Sequence, residues 1–229
     1  NELLRSALST AGIHGLSYGP YASATGYNFL HQHLYSKGVI HNSSIVKGGI
    51  SHFPEILNKI LSSFNADIRK NVKVKSINIK NNTFESVTTQ EGETINSDQI
   101  ISGLDPHNTF INLIGNANLD PSFHTQVNNI KYRGSTARIH FALRDIPKIE
   151  GINNDHINTV FSICPSMEYL ERASDAVKYG FISKDPYLEF SIPSTLNPEF
   201  SPVGKHVLSV SVQYAPYQLR NRIWDTDSK

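Results

Sequence analysis

Apolar residues between Phe53 and Phe64 recur at helical spacing: Phe53, Ile56, Leu57, Ile60, Leu61 and Phe64 share one side of a helical projection. Ser51 is an N-cap residue type and Pro54 is tolerated in a first turn, so the pattern predicts a helix over Ser51 to Phe64. The period then changes. Val72, Val74, Ile77 and Ile79 run to the turn signal Asn81-Asn82, a second run covers Thr83 to Thr89, and Glu91-Gly92 turns the chain toward Thr94. That is the pattern of a meander of short strands. Gln99 to Gly103 reads as a strand covered on both faces, and Asp105-Pro106 ends it at a helix start.

The flanking regions follow similar rules. Leu3, Leu4, Ala7, Leu8 and Ala11 sit at helical spacing before Gly12, and the helix they predict is expected to begin upstream of residue 1. Gly12, Gly15, Gly19, Pro20 and Gly26 mark a loop. Tyr27 to Tyr35 reads as an amphipathic helix ended by Gly38. Asn108 to Ile114, Pro121 to Asn129 and Met167 to Lys178 are predicted helices, whereas Asn158 to Ile163, Leu188 to Ile192 and His206 to Tyr214 are predicted strands. In Ser135 to Leu143, Thr136, Arg138 and His140 alternate with Ala137, Ile139 and Phe141, the pattern of a half-buried strand. The predicted class is α+β: a mixed, largely antiparallel sheet with helices, preceded by the meander. Beyond Arg220 the chain turns polar with no closing element, so both ends read as cuts in a longer protein.

Bulk properties narrow the function classes. With 38% hydrophobic and 18% charged residues, the 229-residue chain is of ordinary globular composition and long enough to bury a core. Its 21 basic and 20 acidic side chains are scattered, which leaves no footprint for nucleic acid. No apolar run reaches membrane-spanning length, and the N-terminus does not read as a signal or transit peptide. The single cysteine, Cys164, excludes an internal disulfide and reads as a free thiol. A metal site is not expected, because His31 and His33, the closest pair of histidines, diverge on a helix. No Gly-x-Ser-x-Gly elbow is present, and Gly12, Gly15 and Gly19 lack both the spacing and the preceding strand of a dinucleotide fingerprint.

Val46-Lys47-Gly48-Gly49-Ile50, then Val74-x-x-Ile77, then Asp98-Gln99-Ile100-Ile101-Ser102-Gly103-Leu104-Asp105-Pro106 together resemble the middle of phytoene-dehydrogenase-like flavoprotein oxidoreductases, relatives of the amine oxidases. Ile192-Pro193-Ser194-Thr195-Leu196-Asn197-Pro198, Gln213-Tyr214-Ala215-Pro216-Tyr217 and Trp224-Asp225 narrow the likeness to one subgroup of that family.

The resemblance implies a flavin-dependent dehydrogenase that transfers hydride from a small apolar substrate to FAD, with the pyrophosphate fingerprint and a second glycine-rich flavin segment outside these residues. It implies a division into substrate-domain helices (1–45), part of a FAD/NAD(P)-binding domain (46–110) and a substrate-binding sheet with helices (111–229). Gly48 and Gly49 match a glycine pair that runs close to the flavin or substrate, although Ile50-Ser51 depart from the methionine and glycine common there; alone, the pair reads as a loop before a helix. Val74 matches a strand valine whose backbone binds the adenine end of FAD, and Gly103, on the strand expected beside it, matches a position of small residues near the nucleotide. In isolation both read as packing residues. Tyr27, Phe29, Tyr214 and Tyr217 are candidates for an apolar substrate pocket, with core positions as their alternative. By resemblance the compartment is the bacterial cytoplasm or the mitochondrial matrix, with room for peripheral membrane contact. The competing class is a non-catalytic partner-binding protein on the same scaffold.

Overall fold

A computed structural model describes residues 1–33, 46–153, 156–220, 223 and 224, without the side chains of Gln32 and His33. The chain divides into two compact units, Asn1–Asn58 with Arg133–Lys229, and Lys59–Tyr132.

In the larger unit, α1 (Glu2–Ile13) is capped within the chain, since the Leu3 N–H donates to Asn1 Oδ1 at 3.0 Å. α2 covers Thr25–His33, and the remainder of the predicted Tyr27 to Tyr35 helix lies outside the described residues. α3 (His52–Ser63) crosses the division between the units. The sheet consists of β4 (Thr136–Leu143), β5 (Phe161–Ile163), β6 (Tyr187–Ser191) and β7 (His206–Gln213), antiparallel throughout in the order β4-β7-β6-β5. α5 (Met167–Lys178) joins β5 to β6. Ser166 caps it by accepting from the Tyr169 N–H, and Gly180 closes its C-terminus at φ 76°.

The core of this unit gathers Ile13 from α1, Leu170 and Ala173 from α5, Tyr187 from β6 and Tyr214 from the end of β7. Across β5 and β6 the register pair Phe161 and Phe190 stacks with centroids 5.1 Å apart. β4 departs from expectation. Ile139 and Phe141 are 43% and 46% exposed, so the side predicted to be buried is also partly open; β4 is an outermost strand, with β7 on one edge.

The smaller unit contains the meander β1 (Val74–Lys80), β2 (Thr83–Thr89) and β3 (Thr94–Asn96), turned at Asn81-Asn82, both with positive φ, and at Gly92. On one side of this sheet Asn78 Nδ2 donates to Ser86 Oγ and Thr88 Oγ1 at 2.9 and 2.8 Å, while Ser76 Oγ donates to Asn78 Oδ1. His107–Ile114 is a π-helix whose wider turn is closed by the Gly115 N–H on the Phe110 carbonyl. Asp105, directly before the Pro106 that opens it, accepts from the Asn108 N–H at 3.0 Å; that hydrogen bond, with those from the Asn108 side chain and Tyr132, holds its carboxyl below the usual range. Phe110 meets Phe123 of α4 (Pro121–Asn129) edge to face at 4.9 Å.

The predicted strand Gln99 to Gly103 is absent: this segment has no regular secondary structure and joins no sheet among the described residues, and Ile101 is 98% exposed. A run with this composition becomes a strand only when neighbouring strands satisfy its backbone, and none of the described elements does so. α3 shows the same mismatch. Its pattern is strongly amphipathic, yet none of its residues is buried.

Two outcomes test the larger core. Leu170, fully buried, fills a site between elements, and Leu170→Ala is expected to lower the unfolding free energy by about 2–5 kcal/mol in urea titrations. Burial, the largest cause, raises the phenol pKa values of Tyr187 and Tyr214 above the ordinary value near 10. Because the folded-state values are the raised ones, these phenols hold their protons longer in the native state. Their stabilisation is complete below about pH 10 and is lost above it, by at most roughly 1.4 kcal/mol per pH unit for each tyrosine, so the urea midpoint should fall from pH 10 upward.

Candidate functional site

The candidate residues fall into two groups, one in each unit. In the larger unit, Gly48 and Gly49 adopt φ 77° and 96°, a succession that side-chain-bearing residues rarely take. The turn is closed by the Gly49 N–H donating to the Val46 carbonyl at 2.9 Å and the His52 N–H to the Gly49 carbonyl at 3.2 Å. A Cβ on Gly48 would lie 2.6 Å from the His52 ring and 3.1 Å from a Glu199 carboxylate oxygen; one on Gly49 would lie 2.6 Å from the Phe200 ring. The close approach that these glycines permit is thus to the protein's own side chains.

The turn is seated on the segment from Ile192 to Phe200. Pro193–Thr195 and Pro198–Phe200 are successive single 3₁₀ turns, each opened by its proline. Ser194 is buried; its hydroxyl accepts from the Val207 N–H at 3.0 Å and lies 3.3 Å from His206 Nδ1, tying the segment to β7. Asn197, 6% exposed, accepts a long hydrogen bond of 3.4 Å from the Gly48 N–H through Oδ1. Its Nδ2 is buried and has no partner, alone among the side-chain nitrogens and oxygens of the described residues.

In the smaller unit, Val74 opens β1 opposite Thr89. With β2 on one side, β1 is an outer strand of its sheet, and such a strand keeps one row of backbone N–H and C=O groups outside the ladder. An adenine edge needs backbone groups of this kind. Gly103 is exposed, and a Cβ placed there would meet nothing within 4 Å, so packing among the described residues does not require glycine.

The four aromatic candidates do not gather. Tyr214 is a core residue, fully buried, with its hydroxyl donating to the Tyr18 carbonyl at 3.0 Å; its assignment to a substrate pocket is corrected. Tyr27 and Tyr217 are 72% and 75% exposed, and the Tyr27 ring lies 6.0 Å from that of His31. Phe29 borders a small hollow of about 220 Å³ with Leu8, Gly12 and Thr25. A larger cavity of about 660 Å³, unmarked by the sequence reading, lies between α5 and residues 181–185, with Tyr169, Ala173, Ala176, Phe181 and Ile182 among its lining. The apolar stripe of α5 was a signal for it, but one equally explained by the core. No cluster of three metal-ligating side chains occurs among the described residues, Cys164 is a free thiol, and no described helix is long and apolar enough to cross a membrane.

The chain is 26% identical, over its full length, to pyridine nucleotide-disulfide oxidoreductase domain-containing protein 2 of Rattus norvegicus and of Mus musculus. This homology is to the subgroup that the later motifs resemble. The chain spans 41% of the length of each of these relatives. No protein-family model matches it. Among solved structures, an oxidoreductase from Methanosarcina mazei aligns over 93% of this chain and 43% of its own at a TM-score of 0.62 and 17% identity. The PF1083 protein of Pyrococcus furiosus aligns over 73% of this chain and 35% of its own at 0.50 and 20%. These likenesses show the fold, which is the α+β arrangement expected.

The packing of Phe200 on Gly49 generates a test. Gly49→Ala is expected to destabilise the chain by more than about 1 kcal/mol, because both the positive φ and the ring oppose a Cβ. In a Phe200→Ala background the penalty should shrink, with a coupling of about 0.5–3 kcal/mol in a double-mutant cycle; strict additivity would mean that the ring does not confine the turn.

Proposed function

We propose that this chain is the middle portion of a flavin-dependent oxidoreductase of phytoene-dehydrogenase-like type, which removes hydride from an apolar substrate. The observation that carries the reading is the 26% identity to an oxidoreductase-domain protein, sustained across the whole chain. Residues 46–110 are assigned to the cofactor domain, and residues 1–45 with 111–229 to substrate binding. Bound FAD would supply the hydride acceptor. The backbone of Val74 on the outer edge of β1 would receive the adenine, Gly103 would lie near the nucleotide, and the glycine pair would lie near the ring or the substrate. The edge backbone and the partnerless Asn197 amide fit such contacts. Tyr27, Phe29 and Tyr217 would contribute apolar surface for the substrate. The residues of this chain therefore bind, orient and exclude water rather than supply a strong acid or base.

The open apolar surfaces of α3 and of Ile100, Ile101 and Leu104 support the reading, since exposed patches of this kind mark surfaces that meet other protein. They would meet parts of the longer protein that the relatives possess beyond the matched region.

Flavin affinity in such an arrangement depends on a pyrophosphate seated at a helix N-terminus and on enclosure by several segments. A few backbone hydrogen bonds, each about 0.5–1.5 kcal/mol net, do not offset the roughly 4–15 kcal/mol cost of association. The 229-residue chain is therefore expected to bind FAD with millimolar affinity or weaker, whereas a protein of the relatives' full length should purify with FAD. Fluorescence titration of the one and the absorption spectrum of the other check this. A colourless full-length protein that takes up no FAD would favour a non-catalytic binding role.

A further inference from the structure

We propose that the Asn197 side-chain amide is the hydrogen-bond donor of a ligand site at the glycine pair, and that it takes an uncharged carbonyl oxygen. The starting point is an imbalance. Asn197 Oδ1 serves the Gly48 N–H, and the Asn197 N–H donates to the Pro193 carbonyl at 2.9 Å, but Nδ2 serves nothing although it is buried. A buried donor without an acceptor destabilises a fold, because it has given up its water without gaining a partner. Holding the glycine turn does not explain it, because an acceptor-only side chain such as aspartate would accept from Gly48 without burying a surplus donor. The surplus is the part of the side chain that a ligand would use.

The surroundings choose among acceptors. Glu199 brings a carboxylate to the Gly48 side of the turn, so an anionic phosphate or carboxylate would meet repulsion there. Phe200, 40% exposed, presents an apolar ring beside Gly49. A neutral carbonyl on a flat or apolar body satisfies both. Two sources carry that chemistry: a flavin ring, and an unsaturated ketone or similar substrate. The proposal rests on the flavin reading only for the choice between them. Because Nδ2 is closed to solvent, a ligand would reach it only after neighbouring side chains move; Glu199 and Phe200, both exposed, lie beside the glycine pair.

The test uses side-chain amide NMR of the 229-residue chain, with the Asn197 signals assigned by their loss in Asn197→Asp. Because affinity for this chain is expected to be millimolar or weaker, three probes are each titrated from about 0.5 to about 50 mM: flavin mononucleotide, cyclohex-2-enone and ribose 5-phosphate. The Asn197 Nδ2 protons are expected to move downfield and saturate with flavin mononucleotide or with the enone, and to stay in place with ribose 5-phosphate. Asn197→Asp, which keeps an acceptor for Gly48 but no amide donor, and Asn197→Ala, which removes both, should lower the affinity of the responding probe by about tenfold, followed at the Gly48 and Gly49 backbone amides. Saturable movement with neither carbonyl probe, undiminished affinity in both variants, or a response to ribose 5-phosphate alone would each overturn the proposal. A response to the enone but not to the flavin would keep the donor and remove the flavin from the glycine pair. Loss of the flavin reading itself shows separately, as a full-length protein without FAD.

Discussion

The larger unit depends on how the end of β7 is plugged. Gln213, 2% exposed, donates through Nε2 to the Ile13 carbonyl at 2.7 Å and to the Leu16 carbonyl at 3.1 Å, while its Oε1 receives the Gly15 N–H at 3.4 Å. One amide therefore satisfies the backbone where α1 ends, in a place where an unpaired carbonyl would be costly. Tyr214 follows at φ 76°, its N–H on the Ser135 carbonyl at 2.7 Å and its hydroxyl on Tyr18. A non-glycine residue is held in the left-handed region because the ring is buried and every polar group beside it has a partner. These two side chains join α1 and the loop after it to the end of β7, and the Tyr214 backbone N–H ties that end to Ser135, just before β4.

That plug also orders the candidate site. β7 is fixed at its C-terminal end by Gln213, and at its other end Ser194 is tied to Val207 and His206. The strand thereby carries the segment that ends in Asn197 and Phe200, on which the glycine turn rests. A rigid strand positioning a turn whose one polar group is unsatisfied is a sensible way to build a ligand contact, since the donor does not have to be ordered when the ligand arrives.

The open surfaces are the counterpart of this satisfied interior. α3 keeps a full apolar stripe in the open, Ile101 is 98% exposed, and β4 leaves Ile139 and Phe141 nearly half exposed. Each is a sequence pattern that asks for a covering layer, and the relatives are more than twice as long as the matched region.

The elements whose signals are local were legible in the sequence. Met167–Lys178 has its cap at Ser166 and its terminating Gly180, and the meander has Asn81-Asn82 and Gly92 at its turns, so short-range chemistry alone determined them. The helix start at Asp105-Pro106 was readable for the same reason. The sequence also carried the fold class and the likeness to an oxidoreductase subgroup, because both are written in the order of short motifs. Tertiary structure decided what depends on neighbours far along the chain. Gln99 to Gly103 has the composition of a buried strand but no described strand to pair with, so composition misled. Tyr214 and Tyr217 are three residues apart and aromatic alike, yet one is core and the other is 75% exposed. Nor does anything near position 197 announce that its amide faces a glycine turn 149 residues away, because a hydrogen bond left unmade is a property of the folded surroundings and not of the residue.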